Sequence, residues 1–351
     1  MRKLSPMQKE ALRERVTKLV QSGMPPIIKL QIPSSIRNAE WFRDFHLEKI
    51  VRLYALPLFE MKIYSGKLPP ALGLLLQFEA EGRLHGKIGL GASSGNWAKD
   101  MLLIAPMTDL EGFHIVVNSG VPKGKLDHLY AAGAMESDII IAPKGIQATD
   151  YVYEVAARDS RYRLMDQYVE DGTISGLEPT MRHIQREMRW HHESWGYAVS
   201  FVMGTCSHCM AARKYLVDDD VKIIGVASKS EDQKIPGSRS MAEIEKLKSI
   251  GGFPHRPEWK GVLDFDPVTS VDRDETYRLN AELVQVEGRA FGPTSALNVA
   301  GTCHLLEKKA REGDLDSLMN ERREIPLLDV MIDSYLAYLG DPEYLKYFQH
   351  Q

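Results

Sequence analysis

Short apolar runs alternate along the chain with stretches whose apolar residues recur every three or four positions. Leu12, Val16, Leu19 and Val20, set among charges, predict an amphipathic helix over 6–22, stopped by Gly23 with Pro25 and Pro26. The run 57–63 predicts a strand, and 72–78 opens a helical pattern ending near Gly82. Further strands are predicted at 88–90, 114–117, 139–141, 197–203 and 221–226, with helices at 123–132, 150–156, 209–216, 240–249 and 274–287.

This alternation predicts an α/β chain with two mainly parallel sheets, buried on both faces and flanked by helices. The polar stretch 157–194 shows little apolar periodicity and is expected to cross between two lobes. The tail 327–351 carries Tyr335, Tyr338, Tyr344, Tyr347 and Phe348, and its spacing predicts a helix that packs on the body or on a second subunit.

Composition narrows the class. A chain of 351 residues, 44% hydrophobic and 26% charged, suits about two globular domains. Forty-four Lys and Arg against 48 Asp and Glu leave a formal charge of -4, which does not favour nucleic acid. No run approaches the roughly 18 to 20 apolar residues of a membrane span, and the start lacks an apolar signal core, so a cytoplasmic protein is expected. Cys206, Cys209 and Cys303 form no disulfide framework.

Three turns can carry chemistry. Ser93, Ser94, Gly95, Asn96 and Trp97 follow an apolar strand and open a helix, where free N–H groups suit a carboxylate or phosphate; an ordinary N-cap by Ser94 or Asn96 is the competing reading. Gly204, Thr205, Cys206, Ser207 and His208 repeat the shape, with Cys206 and Cys209 also open to a redox, metal or plain buried-thiol reading. Gly292, Pro293, Thr294 and Ser295 open a small-residue helix that suits a planar ligand or close helix packing. All three are expected to be strand ends followed by helix starts, where parallel α/β sheets bind ligands. No metal site is expected.

With Lys67 placed just before a helix and ahead of Asn96, the order resembles the fold-type II pyridoxal-phosphate enzymes, the tryptophan synthase β-like family of cysteine synthase, cystathionine β-synthase, threonine synthase and the serine/threonine dehydratases. The likeness spans about 23–306. It implies that Lys67 is the Schiff-base lysine, that Asn96 meets the cofactor's phenolic oxygen, and that Gly204, Thr205, Cys206, Ser207 and His208 hold its phosphate. By the same likeness Thr294 meets the pyridine nitrogen, while Ser93, Ser94, Gly95, Trp97 and Gln167 face the substrate. Lys62 is the rival lysine. The phosphate loop departs from the family in having fewer glycines, and Trp97 stands where a small hydroxyl residue is common, so a reshaped pocket is expected.

The resemblance further implies a larger phosphate-binding lobe from 1–60 and 168–326, a smaller mobile substrate lobe at 61–167, and the helical tail at 327–351. It implies pyridoxal 5'-phosphate as cofactor, a homodimer, and a small β-substituted amino acid such as serine, O-acetylserine, O-phosphoserine or cysteine. The expected reaction is β-replacement through an external aldimine and aminoacrylate. β-Elimination, a threonine synthase-like reaction and a silent scaffold are the alternatives. A threonine at the ring nitrogen is expected not to favour ring protonation. Glu170 and Asp171 are expected either to select a cationic substrate or to form a solvated loop.

Overall fold

The computed structural model describes residues 4–61, 65–168, 170–191, 196–217, 220–249 and 268–348. Its described strands are, in chain order, β1 (Ile28–Lys29), β2 (Val51–Pro57), β3 (Ile88–Ala92), β4 (Gly112–Val117), β5 (Ile139–Ile141), β6 (Tyr162–Leu164), β7 (Tyr197–Val202), β8 (Val221–Ser228), β9 (Val268–Val271) and β10 (Ile325–Met331). They form two sheets in two compact units.

The first unit comprises 1–24 and 60–180. Its sheet has the order β5-β4-β3-β6, every pair parallel, with Leu90 of β3 beside both His114 and Leu164. The Ala148–Arg158 helix closes one core against this sheet through Ala148, Val152, Leu90 and Val116. The opening helix Pro6–Ser22 begins with a capping box between Ser5 and Gln8 and belongs here too: Val16 and Val20 are buried, and Arg13 Nη2 meets Glu79 Oε1 at 2.5 Å. Residues 1–24 therefore lie outside the larger unit in which they were expected.

The second unit comprises 25–59 and 181–351, with the strand order β1-β2-β10-β7-β8-β9, parallel except for β1. All seven residues of β10 are buried, and Leu327 pairs with both Leu53 and Ala198. This corrects the expectation for 327–351. The segment opens as an inner strand, and its aromatic remainder holds only short helical turns, Tyr335–Tyr338 and Pro342–Leu345, with Tyr344 packed edge-on to Tyr277 at 5.2 Å. The helix Pro293–Glu312 lies against the sheet closely enough that a Cβ on Gly301 would fall 2.4 Å from Val226. Its run of small residues serves that approach.

Three further expectations change. The strand near 57–63 ends at Pro57, where the chain turns through Leu58–Glu60; the rest of that prediction, from 62 on, lies outside the described residues. The polar stretch 157–194 does carry the chain from the first unit to the second, between 180 and 181, but it contains β6 and the helix Glu178–His191, whose buried residues Met181, Ile184 and Met188 follow Leu177 at helical spacing. The turn before Thr294 follows the Arg273–Glu287 helix rather than a strand.

Candidate active site

In the first unit Lys67 stands at the N-cap of the buried helix Leu68–Ala80. The turn that carries it is held from behind. The Ser65 hydroxyl donates to Asp100 Oδ2 at 2.5 Å, the Ser65 amide reaches the same oxygen at 3.2 Å, and Ser65 Oγ accepts from the Lys67 amide at 3.1 Å. Asp100 is fully buried, and burial pushes its pKa up to about 6 against the pull of Lys99 and Ser65. The helix itself is locked by close backbone contact. A Cβ on Gly73 would lie 2.1 Å from the Gly172 carbonyl oxygen, and one on Gly176 would lie 2.3 Å from that of Pro69. Lys62 lies outside the described residues.

The turn after β3 leads into the helix Asn96–Ile104, whose N-cap Gly95 is extended. The N-cap position is taken by Gly95, which has no side chain to cap the helix, so the N-cap alternative for Ser94 or Asn96 is not realised. Ser93 Oγ instead accepts from the Gly95 amide at 3.2 Å, and a Cβ on Gly95 would meet nothing within 4 Å. Gln167 is brought to the same turn, its Nε2 donating to the Ala92 carbonyl at 3.3 Å. Trp97 is a correction. Its ring is 2% exposed and seated on Gly91, where a Cβ would fall 2.5 Å from Cζ3, and it meets Phe113 edge-on, so it fills core rather than lining a pocket. Glu170 is paired with Arg83 at 3.5 Å, while Asp171 is exposed beside the short turn Gly172–Ser175.

In the second unit the turn after β7 opens the helix Ser207–Tyr215. Thr205, Cys206, Ser207 and His208 are all buried, Thr205 Oγ1 lies 2.7 Å from Ser207 Oγ, and the N-cap residue Cys206 makes no side-chain capping bond to the helix. Cys206 takes φ +60°, a left-handed conformation that a glycine would adopt without cost, which explains how a loop poor in glycine keeps this path. Gly204 is indispensable in another way, since a Cβ there would lie 2.5 Å from the Gly237 carbonyl oxygen. Arg239 Nε donates to the Gly204 carbonyl at 2.8 Å and fixes that neighbour. The three cysteines are buried, and none of them is in a disulfide.

Thr294 sits in the first turn of the Pro293–Glu312 helix. Asp333, which the sequence reading did not single out, caps that helix, accepting from the Thr294 and Ser295 amides at 3.3 and 3.2 Å. A Cβ on Gly292 would lie 2.6 Å from its carboxyl carbon, so the glycine and the aspartate define each other's place. Asp329 is a second missed carboxylate, fully buried on β10 and bonded by the Ser200 and Thr302 hydroxyls. The signal for both was an aspartate within or beside an apolar run in the segment taken as a helical tail.

The sequence profile described as pyridoxal-phosphate dependent enzyme matches residues 60–318. The chain belongs to this family. Its fold is that of the fold-type II enzymes, two α/β units with mainly parallel sheets. The cysteine synthase of Entamoeba histolytica is 15% identical, covering 96% of this chain and 93% of its own, with a TM-score of 0.72. A hydrogen sulfide-producing enzyme from Fusobacterium nucleatum is 17% identical over 92% and 97%, at 0.69. The O-acetylserine dependent cystathionine β-synthase of Helicobacter pylori is 18% identical over 95% and 98%, at 0.67. A comparison with curated protein sequences gives no match.

Family membership implies pyridoxal phosphate as cofactor, and the residues present fit it. A helix N-terminus with two buried hydroxyls beside it, on a backbone approach that admits only glycine, suits a phosphate. Among the described residues no helix is long and apolar enough to cross a membrane.

Proposed function

We propose that this protein is a pyridoxal-phosphate-dependent β-replacement enzyme acting on a small β-substituted amino acid of the serine, O-acetylserine, O-phosphoserine or cysteine type. The observation that supports the reading is the Ser93–Asn96 turn, where a helix begins at a glycine N-cap and Gln167 is tied beside it through the Ala92 carbonyl. The synthase names of two of the similar structures, cysteine synthase and O-acetylserine dependent cystathionine β-synthase, support it.

The bound cofactor supplies an electron sink that acidifies the substrate's Cα. Lys67 would anchor it through Nζ, and that same nitrogen would serve as the base that takes the substrate's Cα proton. Ser93, Ser94 and the amides of their turn hold the substrate carboxylate, with the Gln167 amide beside them. Asn96 would orient the cofactor through its phenolic oxygen. Gly204 to His208 would hold the phosphate through backbone N–H groups and the Thr205 and Ser207 hydroxyls, and Thr294 would face the ring nitrogen. In this reading the enzyme works as a cytoplasmic homodimer.

The test is the visible spectrum of the purified protein, alone and with O-acetylserine, O-phosphoserine, serine, cysteine and threonine in turn. A cofactor band that shifts with one donor, and is lost in Lys67→Ala, is the expected result and names the leaving group. No band after reconstitution overturns the reading in favour of a scaffold, and a shift followed by release of keto acid regardless of added nucleophile overturns replacement in favour of elimination.

A further inference from the structure

Gln167 has as its chain neighbour a buried carboxylate to which the functional reading gives no role. Asp166 lies two residues past the end of β6 and is 7% exposed. Its Oδ2 accepts from the Tyr153 hydroxyl, on the helix Ala148–Arg158, and its Oδ1 accepts from the Tyr168 amide at 2.8 Å. One oxygen thus ties the side chain to a helix, and the other reaches across Gln167 to the residue beyond it. An ionised carboxylate only accepts, and both of these partners donate. Burial and Asp166 push the pKa of Tyr153 up, which keeps the phenol a donor. The backbone on either side is fixed as well. The Met165 amide donates to the Leu90 carbonyl at 2.8 Å, and the Asp166 carbonyl accepts from the Glu170 amide at 3.3 Å. All of these contacts lie within the first unit.

Gln167 is itself buried, and its Nε2 carries two protons. The carbonyl of Ala92, the residue before Ser93, takes one of them at 3.3 Å. The other is the donor that the functional reading gives to the substrate carboxylate. Fixing a long side chain costs rotamer freedom, so a backbone already held in place strengthens every bond that side chain makes.

We propose that Asp166, anchored by Tyr153, is a positioning residue for substrate recognition: it sets the backbone of Gln167 so that the glutamine amide meets the substrate's carboxylate. The pair thereby favours α-amino acids over amino compounds without a free carboxylate. This rests on the reading of Gln167 as a carboxylate partner, and Asp166 acts only through Gln167.

The test is titration of the cofactor-loaded protein with L-serine and with L-serinamide, followed by the shift of the cofactor's visible band. The ratio of the two dissociation constants measures carboxylate recognition. The wild type is expected to bind serine more tightly than serinamide, and in Asp166→Ala that preference is expected to fall about tenfold, through serine alone. Asp166→Asn, which can still accept from the Tyr168 amide and keep a hydrogen bond to Tyr153, is expected to retain most of it. In a Gln167→Ala background, Asp166→Ala is expected to change the ratio no further. Equal weakening of serine and serinamide in Asp166→Ala overturns the proposal, as does a further fall when Gln167 is already alanine. Should Asp166→Ala fail to fold, Tyr153→Phe removes only the anchoring hydroxyl. A lowered preference there supports the proposal and an unchanged one overturns it. Gln167→Ala with the full wild-type preference overturns the reading of Gln167 on which the inference rests. Gln167→Ala that loses the preference beside Asp166→Ala that keeps it overturns the inference alone. If the loaded wild type responds to neither ligand, the functional reading and the inference fall together.

Discussion

The Ser65 hydroxyl donates a 2.5 Å hydrogen bond to Oδ2 of the fully buried Asp100, and Ser65 lies two residues before Lys67. Because Ser65 Oγ in turn accepts from the Lys67 amide, the carboxylate fixes the turn that carries the lysine. A misplacement of about 1 Å can cost about 10²-fold in rate, so Asp100→Ala and Ser65→Ala are each expected to lower kcat/KM by about that factor. The double variant is expected to lose little more, since both changes break one network. Multiplied losses in the double variant would show that the two residues act independently.

Gly73 tests how the Lys67 helix is seated. In Gly73→Ala the added carbon would lie 2.1 Å from a backbone oxygen that cannot swing away, so the two segments must separate. A destabilisation of about 3 kcal/mol is expected by urea unfolding. Gly95→Ala, where a Cβ meets nothing within 4 Å, serves as the contrast and is expected to leave the unfolding midpoint nearly unchanged.

Cys206 is the strained residue of the turn after β7. Its left-handed backbone costs about 1–2 kcal/mol, so Cys206→Gly is expected to recover that amount while giving up the burial of a small side chain, for a net change within about 1 kcal/mol. Cys206→Val, β-branched at the same φ, is expected to be clearly destabilising and to weaken cofactor retention. Equal stability of the two variants by thermal unfolding would contradict the backbone argument.

Asp329 gives a pH dependence with a definite sign. Burial pushes its pKa up to about 6, so on acidification the native state takes up this proton before the unfolded chain does. Stability from this group therefore rises as pH falls from about 7 towards 4, and above that window the native state carries the full cost of the buried charge. A gap of about two pH units corresponds to about 3 kcal/mol. The stability of Asp329→Asn relative to the wild type is expected to be greatest above about pH 7 and to shrink by about that amount towards pH 4. A pH-independent difference in urea midpoints would contradict this.

Much of this architecture was legible in residue spacing. Leu12, Val16, Leu19 and Val20 marked the first helix, and the turns after β3 and β7 stood at strand ends as their glycines and hydroxyl residues indicated. The helix Glu178–His191 was equally written in Leu177, Met181, Ile184 and Met188, but polar neighbours such as the buried His183 and Gln185 hid it. What spacing could not carry were long-range relations. Trp97 reads as a pocket residue until Gly91, on the preceding strand, is seen to make room for its ring. Asp333 reads as part of a tail until β10 is inserted between β2 and β7 and delivers it to the helix of Thr294. Aspartates buried by partners distant in sequence leave no local periodic signal.

The central claim is that Lys67 carries the cofactor, and it is tested most directly by borohydride reduction of the reconstituted protein followed by peptide mass mapping. The account predicts a single pyridoxyl-phosphate adduct, on the peptide containing Lys67 and assigned to that residue by fragmentation. An adduct on Lys62, or none on protein that has taken up the cofactor, would contradict it.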